Sequence, residues 1–134
     1  MKVLFICVAN AGRSVMAERI FNQLAAGRHT AASAGSQPGS SVHPVVVGAL
    51  REIGLDASDH VPRRLDLAEV ARMDAVVSTC GEEACPVTPP GTRRVYWNLP
   101  DPKGLPLEDV RAIREEIHGL VEALVAELDS SVPR

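Results

Sequence analysis

A chain of 134 residues is one domain's worth of polypeptide, long enough to bury a core without disulfides or a structural metal. Its 46% hydrophobic and 23% charged content excludes a disordered or fibrous chain, and a net charge of −3 argues against a nucleic-acid partner, which would ask for a basic excess. No run reaches the length of a membrane span. Val3 to Val8 followed by Ala9-Asn10-Ala11 imitates a signal peptide. That stretch is at the lower length limit, and cleavage would remove the best strand in the chain, so a cytoplasmic protein is expected. Three cysteines, Cys7, Cys80 and Cys85, leave one without a partner, which suits reactive thiols better than a disulfide framework.

Lys2 to Cys7 reads as a short apolar strand of the kind buried on both faces of a parallel sheet. From Ser14 the pattern is helical, with Met16, Ala17, Ile20, Phe21 and Leu24 at three- and four-residue steps and Gly27 as the stop. A weak strand is predicted over His29 to Ser33, ended by Gly35. Ser36 to Ser41 then reads as a surface loop. Pro44 suits the first turn of a helix with Val46, Val47, Leu50 and Ile53 on its core face and Gly54 beyond. A short helix over Asp66 to Arg72 precedes a buried strand from Asp74 to Cys80, a loop to Gly91, and a strand from Arg93 to Trp97. After a Pro/Gly-rich loop, Leu107 to Leu128 predicts a long helix with Val110, Ile113, Ile117, Leu120, Val121 and Leu124 in one stripe. Ser130 to Arg134 is expected to fray.

This order gives a single α/β domain over residues 1–134. The expected form is a three-layer sandwich, a four-stranded mostly parallel sheet flanked by helices. Ligands of such sheets lie at the carboxyl ends of the strands, where Cys7, Cys80 and the loop after Trp97 all fall.

The loop Cys7-Val8-Ala9-Asn10-Ala11-Gly12-Arg13-Ser14 joins the first strand to the first helix. Such a turn aims backbone N–H groups and the helix dipole at one point, an anion site. Arg13 can fork onto two oxygens of a tetrahedral oxyanion, and the same positive field favours the thiolate of Cys7 as a nucleophile. Ser14 can cap the helix and donate to that sulfur. Asn10 can take a left-handed conformation, and Gly12 leaves room for approach. A bare C-x5-R is a weak pattern that also fits a buried strand-end cysteine and a solvated arginine; the preceding strand and the following Ser and helix favour the functional reading.

Val3 to Glu18, VLFICVANAGRSVMAE, resembles the signature of the low-molecular-weight protein tyrosine phosphatase superfamily, which includes thioredoxin-coupled and mycothiol-linked arsenate reductases. The resemblance extends through Ser33-Ala34-Gly35, His43-Pro44, Asp74-Ala75-Val76-Val77 and Asp101-Pro102. It implies that Asp101 is the general acid that protonates the leaving oxygen. A phosphatase needs only one thiol, whereas arsenate reduction needs a second thiol to attack the Cys7 adduct. Cys80-Gly-Glu-Glu-Ala-Cys85-Pro86 resembles the redox segment of the thioredoxin-coupled branch. This implies a relay from Cys7 through Cys80 to Cys85, regenerated by thioredoxin or a mycothiol-linked reductant.

Tyrosine phosphatases usually follow Asp-Pro with an aromatic pair, where this chain has Lys103-Gly104. Phe5 and Phe21 read as core, which leaves Tyr96 and Trp97 to clamp a phenol ring. Ala11-Gly12 resembles the mycothiol-linked enzymes, and only four residues separate Cys80 from Cys85. Asn10, Glu18 and Ser33 match potassium-site positions of some relatives, but Arg63 stands where those relatives carry a further carboxylate. Two thiols with His43 or His60 make no recognised zinc spacing, so no cofactor or metal is expected. The expected substrate is arsenate or a phosphate-like oxyanion, with no nucleic-acid or membrane partner. The alternatives are a phosphatase acting on phosphoesters and a non-catalytic oxyanion-sensing module.

Overall fold

The computed structural model describes residues 1–80 and 90–131. Cys85, Pro86 and the rest of 81–89 lie outside the described residues, as do 132–134. The elements in order are β1 (Lys2–Cys7), α1 (Arg13–Ala25), β2 (Thr30–Gly35), α2 (Pro44–Arg51), α3 (Leu67–Val70), β3 (Ala75–Ser78), β4 (Arg93–Tyr96) and α4 (Leu107–Ser131).

All four strands are parallel, in the order β2-β1-β3-β4. The chain therefore leaves β1 in one direction to form β2 and later returns on its other side as β3. The carboxyl ends of β1 and β3 make the switch point where doubly wound sheets bind ligands. Ile6 is level with Ser78, so Cys7, the last residue of β1, and Cys80, two residues beyond β3, open into the same region.

The period-two alternation of β1 explains the layers. Val3 and Phe5 face a large core built from Val15, Ile20 and Phe21 of α1, Val46 and Leu50 of α2, and Ile113, Ile117 and Val121 of α4. Leu4 and Ile6 face a thin second core closed by Val70 of α3, with Leu65 and Met73 at its edge. The sandwich is thus three-layered but lopsided, with one short helix covering the second face.

Differences from the predicted elements have local causes. Helix α1 ends at Ala25 because Ala26 itself takes the left-handed cap, at φ 49°. Strand β2 runs on to include Gly35, which pairs with Cys7. Ile53 falls outside α2, in the turn after it, and Ala49 takes the expected place in the buried face. Strand β3 stops at Ser78, and Cys80 instead makes an isolated antiparallel bridge with Asn98.

The expected frayed tail is partly wrong, since α4 continues through Ser130 and Ser131. Asp129 anchors that end by accepting from Arg28 at 3.0 Å and from the buried His29 at 2.9 Å. Leu120 lies at the margin of the helix stripe, while Val125 and Leu128 extend it. Among the described residues, no helix is long and apolar enough to cross a membrane.

Candidate active site

The loop after β1 is shaped by what its carbonyls bind. The carbonyl oxygens of Cys7, Val8, Ala9 and Ala11 accept from the backbone amides of Ser36, Gln37, Gly39 and His43 at 3.3, 2.8, 2.9 and 3.0 Å. With the carbonyls turned outward, the amides face in. Among the described residues those of Ala9, Ala11, Gly12 and Arg13 have no acceptor within the protein. Amide donors left without an acceptor in the protein gather here at a helix N-terminus, an arrangement that suits an anion. The segment read as a plain surface loop, Ser36 to Ser41, is therefore the scaffold that inverts the loop. Hydrogen bonds made by backbone atoms leave no trace in composition.

Cys7 is 3% exposed. Its Sγ lies 2.9 Å from the Ser14 hydroxyl and accepts from the Asn10 amide at 3.2 Å. Both contacts fix the sulfur at the base of the loop. Asn10 has the expected left-handed backbone, at φ 50°. Its buried side chain donates to Ser14 Oγ at 2.9 Å, while its Oδ1 accepts from the Arg63 amide at 3.1 Å and lies 3.0 Å from His60 Nε2. Ser14 does not cap α1. The helix starts at Arg13 behind Gly12, which has no capping side chain, so the Ser14 hydroxyl serves the sulfur instead.

A cleft of about 430 Å³ opens above this loop. Cys7, Val8, Ala9, Ala11, Gly12 and Arg13 form its floor, and Gly39, Ser40, Ser41, His43, Asp101 and Lys103 form its walls. The Arg13 guanidinium donates through one terminal nitrogen to the Leu99 carbonyl at 3.0 Å, which ties it to the segment carrying Asp101. The Asp101 carboxylate accepts from the Lys103 amide at 3.0 Å, so the turn-forming role and a place at the cleft coexist. The structure thus brings Cys7, Arg13 and Asp101 together, with Asn10 and Ser14 behind the floor. Sequence reasoning missed the wall residues Ser40, Ser41 and Lys103, and the contact of His60 with Asn10.

Two glycines are fixed by space. A Cβ on Gly12 would come within 2.6 Å of Pro102 Cγ, so what approaches Gly12 is the Asp101-Pro102 turn rather than only a ligand. A Cβ on Gly35 would meet Val8 O at 2.5 Å and Asn10 N at 3.0 Å, both backbone atoms of the loop. Gly35→Ala should therefore deform the loop and lower kcat/KM on the order of 10²-fold. The far-ultraviolet circular dichroism should stay unchanged. Unchanged kinetics would show that the loop tolerates the displacement.

Cys80 is half-buried and lies beside the loop. Burial pushes its thiol up, and the nearby Cys7 sulfur adds to this, while Arg13, the Ser78 hydroxyl and the Val8 amide pull the other way. A group with that balance keeps its proton until it reacts. Cys85 falls outside the described residues.

Tyr96 and Trp97 do not line the cleft. Trp97 is 8% exposed and packs on Phe5 with ring centroids 5.7 Å apart. Successive residues at a strand end point to opposite faces, so Tyr96 instead lies near Arg94, 5.7 Å from its guanidinium carbon. Neither of the two aromatics that the sequence left over for a phenol ring is therefore placed to clamp one. Among the described residues no group of three or more metal-ligating side chains forms.

Residues 2–134 match the family of low molecular weight phosphotyrosine protein phosphatases. The chain belongs to this family. Among its relatives, the glutaredoxin arsenate reductase of Synechocystis sp. is 34% identical over 132 residues, 95% of this chain and 98% of that protein. The structure of the thioredoxin-dependent arsenate reductase of Corynebacterium glutamicum is 36% identical with a TM-score of 0.84, covering 98% of this chain and 63% of that one. A low molecular weight protein tyrosine phosphatase from T. tengcongensis is 28% identical with a TM-score of 0.82, covering 95% and 99% of the two chains. The fold is therefore shared by reductases and phosphatases, and the difference between them has to be sought in side chains.

His60 offers one such test of the site. Burial and the Arg19 and Arg63 charges lower its pKa, against an opposing pull from Glu18 and Asp59. With a folded pKa below the ordinary histidine value near 6.5, its stabilising contribution is complete above that value. It is lost as pH falls through the folded pKa. Urea midpoints at mildly acidic and neutral pH should differ more for the wild type than for His60→Gln. Equal pH dependence in the two proteins would remove His60 from the account.

Proposed function

We propose that this protein reduces arsenate to arsenite. The observation that carries the reading is a second thiol, Cys80, which sits beside the oxyanion loop against the Val8 amide, two residues beyond the strand that pairs with β1. The names of relatives at 34–36% identity support it.

In this reading Arg13 and the inward amides of Ala9, Ala11, Gly12 and Arg13 bind the arsenate oxygens. The Cys7 thiolate attacks arsenic, the As–O bond breaks, and Asp101 gives its proton to the departing hydroxyl, which leaves as water. Arsenic is still pentavalent in the Cys7 adduct. Cys80 then attacks the Cys7 sulfur and the S–As electron pair passes to arsenic, giving a Cys7–Cys80 disulfide and trivalent arsenite. The proton that Cys80 retained leaves with the arsenite oxygens. Cys85 next attacks Cys80, forming Cys80–Cys85 and freeing Cys7, and an external dithiol reduces that bond.

The reductant is of the thioredoxin or glutaredoxin type, or is linked to mycothiol. Such a cycle runs only where thiols are kept reduced, which points to the cytoplasm. Arsenate-dependent NADPH oxidation, coupled through thioredoxin and its reductase and repeated with glutaredoxin and with the mycothiol system, tests the reading. Turnover with at least one donor is expected; none with any donor would overturn it.

Phosphoester hydrolysis is the second reading, favoured by the phosphatase of the same fold. Here Cys7 would form a phosphocysteine that water hydrolyses. The walls of the cleft, Gly39, Ser40, Ser41, His43, Asp101 and Lys103, include no Phe, Tyr or Trp to stack on an aryl ester, which favours an inorganic oxyanion. Hydrolysis of p-nitrophenyl phosphate at rates well above arsenate reduction would reverse that order.

A further inference from the structure

The positions that match a potassium site, Asn10, Glu18 and Ser33, sit together beneath the loop but are not available to a metal. Hard cations are held by converging oxygen lone pairs. Here Asn10 Oδ1 already faces the Arg63 amide and His60 Nε2 at 3.1 and 3.0 Å. Glu18 Oε1 accepts from the Ser33 hydroxyl at 2.8 Å. Glu18 Oε2 lies 3.1 Å from Arg19 Nε, an ion pair off the axis of a hydrogen bond. The residues present do not fit a cation, because a guanidinium already stands against the carboxylate.

Arg19 also reaches across the loop's underside. One of its terminal nitrogens is 3.5 Å from His60 Nδ1 and 3.7 Å from Asp59 Oδ1. Its position links the Glu18 carboxylate on α1 to the imidazole that faces Asn10. From Asn10 the chain of hydrogen bonds continues to Ser14 and then to Cys7 Sγ. We propose that the Arg19 guanidinium is a built-in substitute for a bound monovalent cation, a positioning residue that holds Glu18 and His60 so that Asn10 and Ser14 stay set around Cys7.

The inference rests on the reading of Cys7 as the nucleophile, and its test separates the two. The probe is the rate of iodoacetamide alkylation at Cys7, read by peptide mass spectrometry, in about 0.1 M potassium, sodium or choline chloride at one ionic strength. The wild-type rate should be the same in all three salts. Arg19→Gln leaves Glu18 uncompensated and should alkylate about tenfold more slowly in choline, with most of the loss restored by potassium. Arg19→Lys keeps a cation and should stay close to wild type.

A wild-type rate that rises severalfold with potassium would overturn the proposal, and so would an Arg19→Gln rate insensitive to the salt. If Arg19→Gln does not fold, the wild-type and Arg19→Lys rates still decide it, since salt dependence in either one contradicts a built-in cation. A Cys7 thiol no more reactive than free cysteine in every salt would instead contradict the nucleophile reading.

Discussion

Cys80→Ser should lose arsenate turnover with its reductant by on the order of 10³-fold while hydrolysing p-nitrophenyl phosphate at close to the wild-type rate. The asymmetry follows from what each reaction asks of the second thiol. Hydrolysis of a phosphocysteine needs only Cys7, the loop amides, Arg13 and Asp101. Release of arsenite needs two electrons, and a serine hydroxyl cannot supply them by forming a disulfide. The substitution is close to isosteric, and Cys80 is half-buried rather than part of the core, so folding should be little affected. Equal losses in the two assays would point to a structural role for Cys80, and full arsenate turnover would remove it from the relay.

The second large effect is expected at Arg13. Arg13→Lys retains the charge but loses the planar fork that can hold the Leu99 carbonyl at 3.0 Å with one arm and face the cleft with the rest. A lysine ammonium can serve the oxyanion or the carbonyl, but not both in the same geometry. A fall of about 10²- to 10³-fold in kcat/KM is expected for arsenate and for p-nitrophenyl phosphate alike, since both bind through the loop. Steady-state kinetics on the two substrates check this. A lysine variant that keeps near wild-type kcat/KM would mean that charge alone is enough at this position.

The parts of this site legible in the sequence are those built from local pattern. The buried run of β1, the turn into α1 and the C-x5-R spacing specify a strand, a loop and a helix N-terminus in sequence order, and the structure has them in that form. The left-handed Asn10 was readable because few residues other than glycine take that conformation. What stayed hidden depends on long-range contacts. His60 meets Asn10 across 50 positions, and Arg13 meets the Leu99 carbonyl across 86. No spacing rule links such pairs. The Ser36–Ser41 scaffold was composed like any exposed loop because its work is done by backbone amides. One signal was present but not used: period-two alternation at the end of β4 would have sent Trp97 inward and Tyr96 outward.

Gly12 shows how the two kinds of information combine. Its lack of a side chain was expected to leave room for substrate. In the structure the nearest neighbour to its missing Cβ is Pro102, so the loop and the Asp101-Pro102 turn are packed on each other. The loop and the segment carrying Asp101 are thereby joined through Gly12 and, on the other side, through Arg13 and Leu99.

The most direct test of the account is a single turnover. Fully reduced protein is mixed with one equivalent of arsenate in the absence of any reductant, then acid-quenched and digested for mass spectrometry. The account predicts one arsenite released per chain, Cys7 as a free thiol, and a disulfide joining Cys80 and Cys85. Three free thiols with arsenate unreduced would contradict it.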